Sequence, residues 1–535
     1  MISGSSVGAD PHNGRVTIQP EAADDRVRLG DVVDTSAAVG STRSRLAKRA
    51  AIADLLRQCH SDDVATVVAY LSGSLRQRRP GVGWAMLRDL PAPASTNSLT
   101  VAEVDATFET LSGLSGAGSQ ERRRQLLADL FRRATRSEQE FVARLVAGEL
   151  RQGALDGVMM DAVAEAFDVS PALVRRASML LGSTATATEI AAAKGEPGLG
   201  EVGLIVGQPI RPMLAATGND VAAALDKVAG EAIIDRKLDG IRIQVHRDGD
   251  DIGVFTRSLD DITSRLPETV EVVRSLPAGR LILDGEAIVL DGDDRPRPFQ
   301  VTAARTASRV DVDALVANAP VSTYFFDLLH LDGVDYLDRP LTERLDALRD
   351  TVPAAHRVPG VRTTDPTEAG DFFAESIAAG HEGVIVKALD VAYEAGRRGS
   401  AWVKVKPRYT LDLVVLAAEW GHGRRQGWLS NLHLGARGPD GEFVMLGKTF
   451  KGLTDELLTW QTEQFLAREI RSTPGTVYVR PELVVEIAFD GVQISTRYPG
   501  GVTLRFARVL RYRDDKSADE VDSLATVRSI GGLEP

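Results

Sequence analysis

The spacing of apolar residues changes along the chain, and its 535 residues are too many for a single core. From Ser41 to about Ala193, apolar residues recur every three or four positions, the spacing that lines one face of a helix. Leu46, Ile52, Leu55 and Leu56 follow it, as do Val64, Val67, Val68 and Leu71, Leu126, Leu127, Leu130 and Phe131, and Val142, Leu145 and Val146. A link bearing glycine and proline comes next, from Lys194 through Gly195 and Pro197 to Gly200. The period then falls to two. Ile241, Ile243 and Val245 alternate with Arg242, Gln244 and His246, and Asp248 and Gly249 turn the chain into Val254, Phe255 and Thr256. The expected architecture is multidomain α+β. A disordered tail covers 1–28, and an all-α domain covers 29–200. A domain of antiparallel sheets flanked by helices follows over 201–408. The short strands at 413–416, 432–434, 444–446 and 483–487, with a turn at Pro439, Asp440 and Gly441, suggest a compact β-barrel over 409–520. A C-terminal tail over 521–535 completes the chain.

With 43% hydrophobic and 26% charged residues, the composition is that of a soluble globular protein. No apolar run approaches the roughly 20 residues of a membrane span, and the first residues carry no secretion signal; a cytoplasmic protein is expected. The single cysteine, Cys59, excludes an internal disulfide and a four-cysteine zinc site. A net charge of −12 argues against nucleic acid as a partner, but the location of the basic groups matters more than their sum. Arginines cluster in the helical third: Arg43, Arg45 and Arg49 with Lys48; Arg76, Arg78 and Arg79; Arg122, Arg123 and Arg124; Arg132, Arg133 and Arg136. Each cluster alone reads as a solvated helix face. Together they point to a surface that tracks phosphates.

Only ten of the 63 basic residues are lysine. Where any positive charge suffices the chain uses arginine, so lysine marks sites that need a compact charge or an amine able to lose its proton. Six charged segments draw attention. In the first, Asp235, Lys237 and Asp239 share one strand face, and Gly240 lets Arg242 come round. Bringing a lysine from a pKa of about 10.4 to near 7 takes roughly 4 kcal/mol from burial and neighbouring cations; read alone, the segment fits equally a surface strand with an Asp–Lys pair. In the second, Asp284, Gly285 and Glu286 interrupt an apolar run, which is costly unless the carboxylates meet a cation or metal. Tyr324, Phe325 and Phe326 form an aromatic stripe, core by default and a base-stacking platform as the sharper alternative. Glu382 and Lys387 bracket an apolar strand, while Arg397 and Arg398 precede Trp402, Lys404 and Lys406, the two lysines sharing a face suited to a polyphosphate. The last segment packs Arg505, Arg508, Arg511, Arg513 and Lys516 into twelve residues.

In this order and spacing the segments resemble the six-motif signature of the covalent nucleotidyltransferases, the polynucleotide ligases and mRNA capping enzymes. The likeness is nearest to ATP-dependent DNA ligases of bacterial and archaeal type, especially actinobacterial ones. It extends to Pro209–Ala215, to Gly421–Arg425, to 484–490, and to Gly148–Gly153 in the helical third, which is similar to the family's DNA-binding domain. One position departs: Ala507 stands where relatives often carry proline.

The resemblance implies a fold with an OB-type C-terminal barrel, ATP as AMP donor, Mg²⁺, and nicked double-stranded DNA around which a monomer closes. It implies Lys237 as the residue that takes up AMP, with Asp235 reading the adenine edge. Arg242 and Arg257 would hold AMP and the nick phosphate, Glu286 the ribose or a metal, Phe326 the adenine face, and Glu382 the metal. Arg398, Lys404 and Lys406 would bind phosphates, and Arg505, Arg513, Asp515 and Lys516 would orient pyrophosphate. Because the C-terminal domain must face ATP and later DNA, a hinge is expected near Lys406, Pro407 and Arg408. A capping guanylyltransferase would use GTP and need no helical DNA-binding domain, an RNA ligase would share the motifs, and an idle DNA clamp would have lost some of them.

Overall fold

The computed structural model describes residues 26–77, 80–150, 156–394 and 401–533. The chain divides into two compact units. The first runs to Leu214 and also takes in Arg257–Leu259 and Glu394; the second comprises the remainder from Ala215.

The first unit is helical, as the three-to-four spacing requires. Its helices are delimited by local chemistry: Thr100 and Glu103 form a capping box ahead of Val101–Gly113, and Thr135 and Glu138 do the same for Arg136–Val146. One continuous core joins these helices, with Ile52, Leu56, Val67, Val104, Phe108 and Val163 fully buried. The expected tail is shorter than read. Up to residue 25 it lies outside the described residues, but Val27 is buried and Arg28 bridges Thr100 ahead of a helix at Leu29–Ser41. The expected Gly/Pro link is also helical: Thr184–Gly200 continues through a break at Gly195 (φ +61°), and Pro197 begins the resumed turn.

Most of the clustered arginines are engaged within this unit. Arg45 meets Asp161, Arg49 meets Glu165, Arg76 meets Asp105, Arg124 meets Glu121, and Arg133 meets Glu103. Each of these arginine side chains nevertheless stays 40–67% exposed, so the pairing leaves the clusters at the surface.

The second unit begins with ten strands: β1 (Ala216–Thr217), β2 (Ala232–Lys237), β3 (Ile241–Asp248), β4 (Asp251–Thr256), β5 (Arg280–Val289), β6 (Val321–Leu331), β7 (Val334–Asp335), β8 (Gly360–Thr363), β9 (Gly383–Ala388) and β10 (Trp402–Val405). They build two five-stranded sheets, ordered β1-β10-β9-β2-β8 and β4-β3-β5-β6-β7. Pairing is antiparallel except for β1 with β10, which is parallel. The first sheet turns Ile234, Val384, Val386 and Val403 toward the helices Val221–Val228 and Pro366–Ala378. The second turns Ile243, Val245, Leu283 and Phe325 toward Pro267–Arg274 and Leu341–Thr351. Since strand residues alternate, Asp235, Lys237, Lys387 and Lys404 of the first sheet and Arg242, Asp284 and Glu286 of the second fall on the opposite faces. There the sheets meet: Lys387 of β9 donates to the Phe326 carbonyl of β6, at 3.5 Å.

Nine further strands follow: β11 (Tyr409–Trp420), β12 (Leu429–Arg437), β13 (Phe443–Thr449), β14 (Glu469–Ser472), β15 (Thr476–Val479), β16 (Val484–Phe489), β17 (Gly491–Ile494), β18 (Val502–Arg505) and β19 (Arg508–Tyr512). The expected barrel is corrected here. Seven of them form one branched sheet, β13-β12-β11-β15-β14 with β16 joining β11 to β19, and β17 and β18 pair separately. Among the described residues no sheet closes on itself. The long β11 explains the branching, because β15 and β16 bond to successive stretches of it. Helix Asp455–Ala467 covers the sheet's apolar face. The segment set apart as a C-terminal tail also contributes, through helix Leu524–Ile530 and its fully buried Val527.

Candidate active site

Lys237 is the last residue of β2, and Leu238–Gly240 carry the chain from the first sheet into β3 of the second. This crossing needs Gly240: a Cβ there would lie 2.4 Å from the Ala287 carbonyl oxygen. Asp239 thus leaves the strand face it was expected to share with Asp235 and Lys237. The Lys237 ammonium pairs with Glu382, whose backbone N–H donates to the Lys237 carbonyl at 3.0 Å. The other Glu382 oxygen pairs with Lys406. Gly383, at φ +145°, places β9 so close to β10 that a Cβ would meet the Val405 carbonyl at 2.1 Å, and this contact brings Lys406 to Glu382. Burial pushes the Glu382 carboxyl up, but the two ammonium groups outweigh it and hold it below the usual carboxylate range.

Two residues before Lys237, Asp235 is buried and pairs at 2.5 Å with Lys387. The Lys387 ammonium sits 4.4 Å from the ring centres of both Phe326 and Trp402. Phe326 is thus an aromatic wall beside Asp235 rather than core filling. Arg242 faces the same rings at 5.3 and 5.7 Å and forks onto Asp284, Nε to Oδ1 at 2.9 Å and Nη2 to Oδ2 at 2.6 Å. Directly across the ladder from Arg242 stands Glu286. Burial pushes the Glu286 carboxyl up to about 7, against the pull of Lys237 and Arg242.

Asp235, Lys237, Arg242, Glu286, Phe326, Glu382 and Lys406 are therefore neighbours where the two sheets face each other. Lys404 lies on β10 opposite Ile385. Arg257 is exposed in the turn after β4 and groups with the first unit. Arg398 lies outside the described residues. The four C-terminal residues divide. Arg505 reaches Asp239 at 3.0 Å. Arg513 and Lys516 instead converge on Asp412 of β11, at 2.9 and 2.6 Å, and Arg513 also chelates Asp515. This arrangement does not bring Arg513, Asp515 or Lys516 to Lys237.

Three site residues carried no assigned role in the sequence reading. Asp284 was visible as a carboxylate inside an apolar strand, and Lys387 as one of only ten lysines. Tyr393, whose hydroxyl donates to Asp284 at 2.7 Å, had no local signal. Among the described residues no group of three or more potential metal ligands occurs. Glu286 and Glu382 nevertheless supply two carboxylates of the hard-oxygen type, and Mg²⁺ is commonly held by one or two carboxylates together with substrate phosphates.

Comparison with known proteins agrees with this geometry. The family model described as ATP dependent DNA ligase domain matches residues 212–406, ATP dependent DNA ligase C terminal region matches 425–516, and DNA ligase N terminus matches 88–164. A probable DNA ligase of Beutenbergia cavernae is 59% identical over 514 residues, covering 94% of this chain and 100% of that protein. One from Nocardioides sp. is 58% identical over 513 residues, covering 95% and 99%. The solved structure named Pmar-Lig_PreS3 shares the fold at 18% identity, with a TM-score of 0.58 over 90% of this chain and 99% of that one. Matched along nearly its whole length by relatives more than half identical to it, the chain belongs to the ATP-dependent DNA ligases.

Proposed function

We propose that this protein closes nicks in duplex DNA, acting as a cytoplasmic monomer that closes around its substrate and working through an AMP carried on Lys237. The observation that carries the reading is the setting of Lys237: a partly buried lysine at a strand end, with Lys406 sharing its carboxylate partner and Arg242 and Glu286 on the adjoining strands. The division of labour is a helical DNA-binding domain over 29–200, an adenylation domain over 201–408 and a C-terminal domain over 409–520.

Lys237 acts as an amine, since the ammonium has no lone pair to offer phosphorus. Its Nζ attacks the α-phosphorus of ATP, the bond to the bridging oxygen breaks, and pyrophosphate leaves in line. Asp235 and Phe326 hold the adenine by edge and face. Arg242, Arg398, Lys404 and Lys406 hold the phosphates, while Arg505, Arg513, Asp515 and Lys516 orient the pyrophosphate. A Mg²⁺ ion held by Glu286 and Glu382 would neutralise charge that develops on the phosphates. An oxygen of the nick 5′-phosphate, gripped by Arg257, then takes AMP from Lys237. The 3′-hydroxyl attacks the activated phosphorus, and AMP departs.

The test is a sealing assay on nicked duplexes with ATP and Mg²⁺. Joining that requires the 5′-phosphate and is lost in Lys237→Ala supports the reading. Joining supported by GTP alone, or confined to nicked RNA, rejects it.

A further inference from the structure

Tyr393 stands between two buried ion pairs that come from different parts of the second unit. Its hydroxyl donates to Asp284 Oδ2 at 2.7 Å and accepts from Arg242 Nη2 at 3.2 Å, closing a triangle with the Arg242–Asp284 fork. Its ring meets Trp402 edge-on, with centroids 6.1 Å apart, and the guanidinium of Arg344 lies 5.9 Å from its centre. Arg344 is fully buried and forks onto Asp327, next to Phe326, while its third nitrogen donates to the Val391 carbonyl at 2.8 Å. The Tyr393 backbone N–H is tied to the Leu337 carbonyl at 2.9 Å. The ring is 1% exposed, and its hydroxyl is bonded to both Asp284 and Arg242.

The consequence falls on Arg242. A guanidinium beside two aromatic rings could swing in its own plane while keeping one bond to Asp284. A second oxygen at the Tyr393 position, bonded to both partners, allows only one orientation. We propose that Tyr393 is a positioning residue that acts through Arg242, its hydroxyl fixing the guanidinium in the orientation that meets a nucleotide phosphate. This rests on the proposed phosphate-binding role of Arg242. Because orientation contributes chiefly where charge develops, the hydroxyl should favour the transition state over bound ATP.

Tyr393→Phe removes the hydroxyl and keeps the ring. Transfer of label from α-labelled ATP to the full-length protein is measured across ATP concentrations in four proteins: wild type, Tyr393→Phe, Arg242→Ala and the double variant. Loss of one hydrogen bond to a charged group predicts about a tenfold slower rate at saturating ATP in Tyr393→Phe, with KM for ATP changed less than about twofold. In the Arg242→Ala background the same substitution should cost less than about twofold. Equal losses in both backgrounds, an unchanged rate, or an effect confined to KM would overturn the proposal. Thermal unfolding run in parallel keeps each comparison at a temperature where all four proteins are folded. Failure of the wild type to take label would instead count against the ligase reading itself.

Discussion

Among the described residues of the second unit, Arg344 and Asp327 form the most completely buried ion pair, and breaking it should be costly in a specific way. Both side chains are 0% exposed, and they are joined by two hydrogen bonds of 2.8 and 3.1 Å. Arg344 also satisfies the carbonyls of Arg339 and Val391, at 2.7 and 2.8 Å. Arg344→Met fills similar space but leaves Asp327 charged and without its partner. Removing one member of a buried pair typically costs about 3–5 kcal/mol. In a unit that takes in most of the chain from Ala215 onward, each kcal/mol lowers the melting temperature by about 1.5 °C, so a fall of about 5–8 °C is expected. Adding Asp327→Asn removes the stranded charge, and the double variant should recover at least about half of the loss. Thermal unfolding followed by circular dichroism measures both. A single variant melting within about 2 °C of wild type, or a double variant no more stable than the single, would refute the argument that the charge of Asp327 needs Arg344.

The remaining expectations concern pH, domain movement and the thiol. An ordinary glutamate titrates near 4.5 and Glu286 near 7, so between these pH values the unfolded chain gives up the proton and the folded chain keeps it. Stability therefore falls as pH rises through that window; in metal-free protein Glu286→Gln should melt higher than wild type at pH 8 and alike at pH 4.5, and an offset equal at both would reject this. Gln300 and Gln493 touch at 3.3 Å between the adenylation and C-terminal parts of the second unit. A reducible cross-linker joining cysteines placed there would keep the C-terminal part where Arg513 and Lys516 do not reach Lys237, and the cross-linked protein should fail to take label from ATP until reduced; undiminished labelling would count against the hinge. Asp239 and Arg505 are each about one-quarter exposed, so Arg505→Ala should change stability by less than about 1 kcal/mol while slowing sealing; equal sealing by both proteins would show the contact to be idle. Burial, with Asp63 and Asp31 nearby, pushes the Cys59 thiol up to about 12; a thiol reagent at pH 8 should label the chain only on unfolding, and rapid labelling of native protein contradicts this.

Much of the fold could be read from local pattern. The capping boxes at Thr100 and Thr135, the hairpin turn at Gly249 and the alternation in β3 each depend on residues close in sequence. Partnerships between distant segments could not. Arg45 finds Asp161 and Arg133 finds Glu103 across the helical unit, pairings that the clusters themselves did not reveal. The apolar run at 413–416 revealed a strand in β11 but not that β15 and β16 would divide its length, which leaves the sheet open and branched. At the site, Lys237, Glu382 and Lys406 were legible as charges beside apolar strands. Tyr393 was not, because a buried phenol owes its role to Asp284, which is 109 residues away.

In the proposed reaction a single amine, Lys237, carries the AMP. Incubation with ATP and Mg²⁺, followed by intact-mass and peptide analysis, tests it directly. One adenylate per chain is expected, located on Lys237, released by acid as expected of a phosphorus–nitrogen bond, and absent from Lys237→Ala. An adenylate on any other residue, or one that persists in the Lys237→Ala protein, would contradict it.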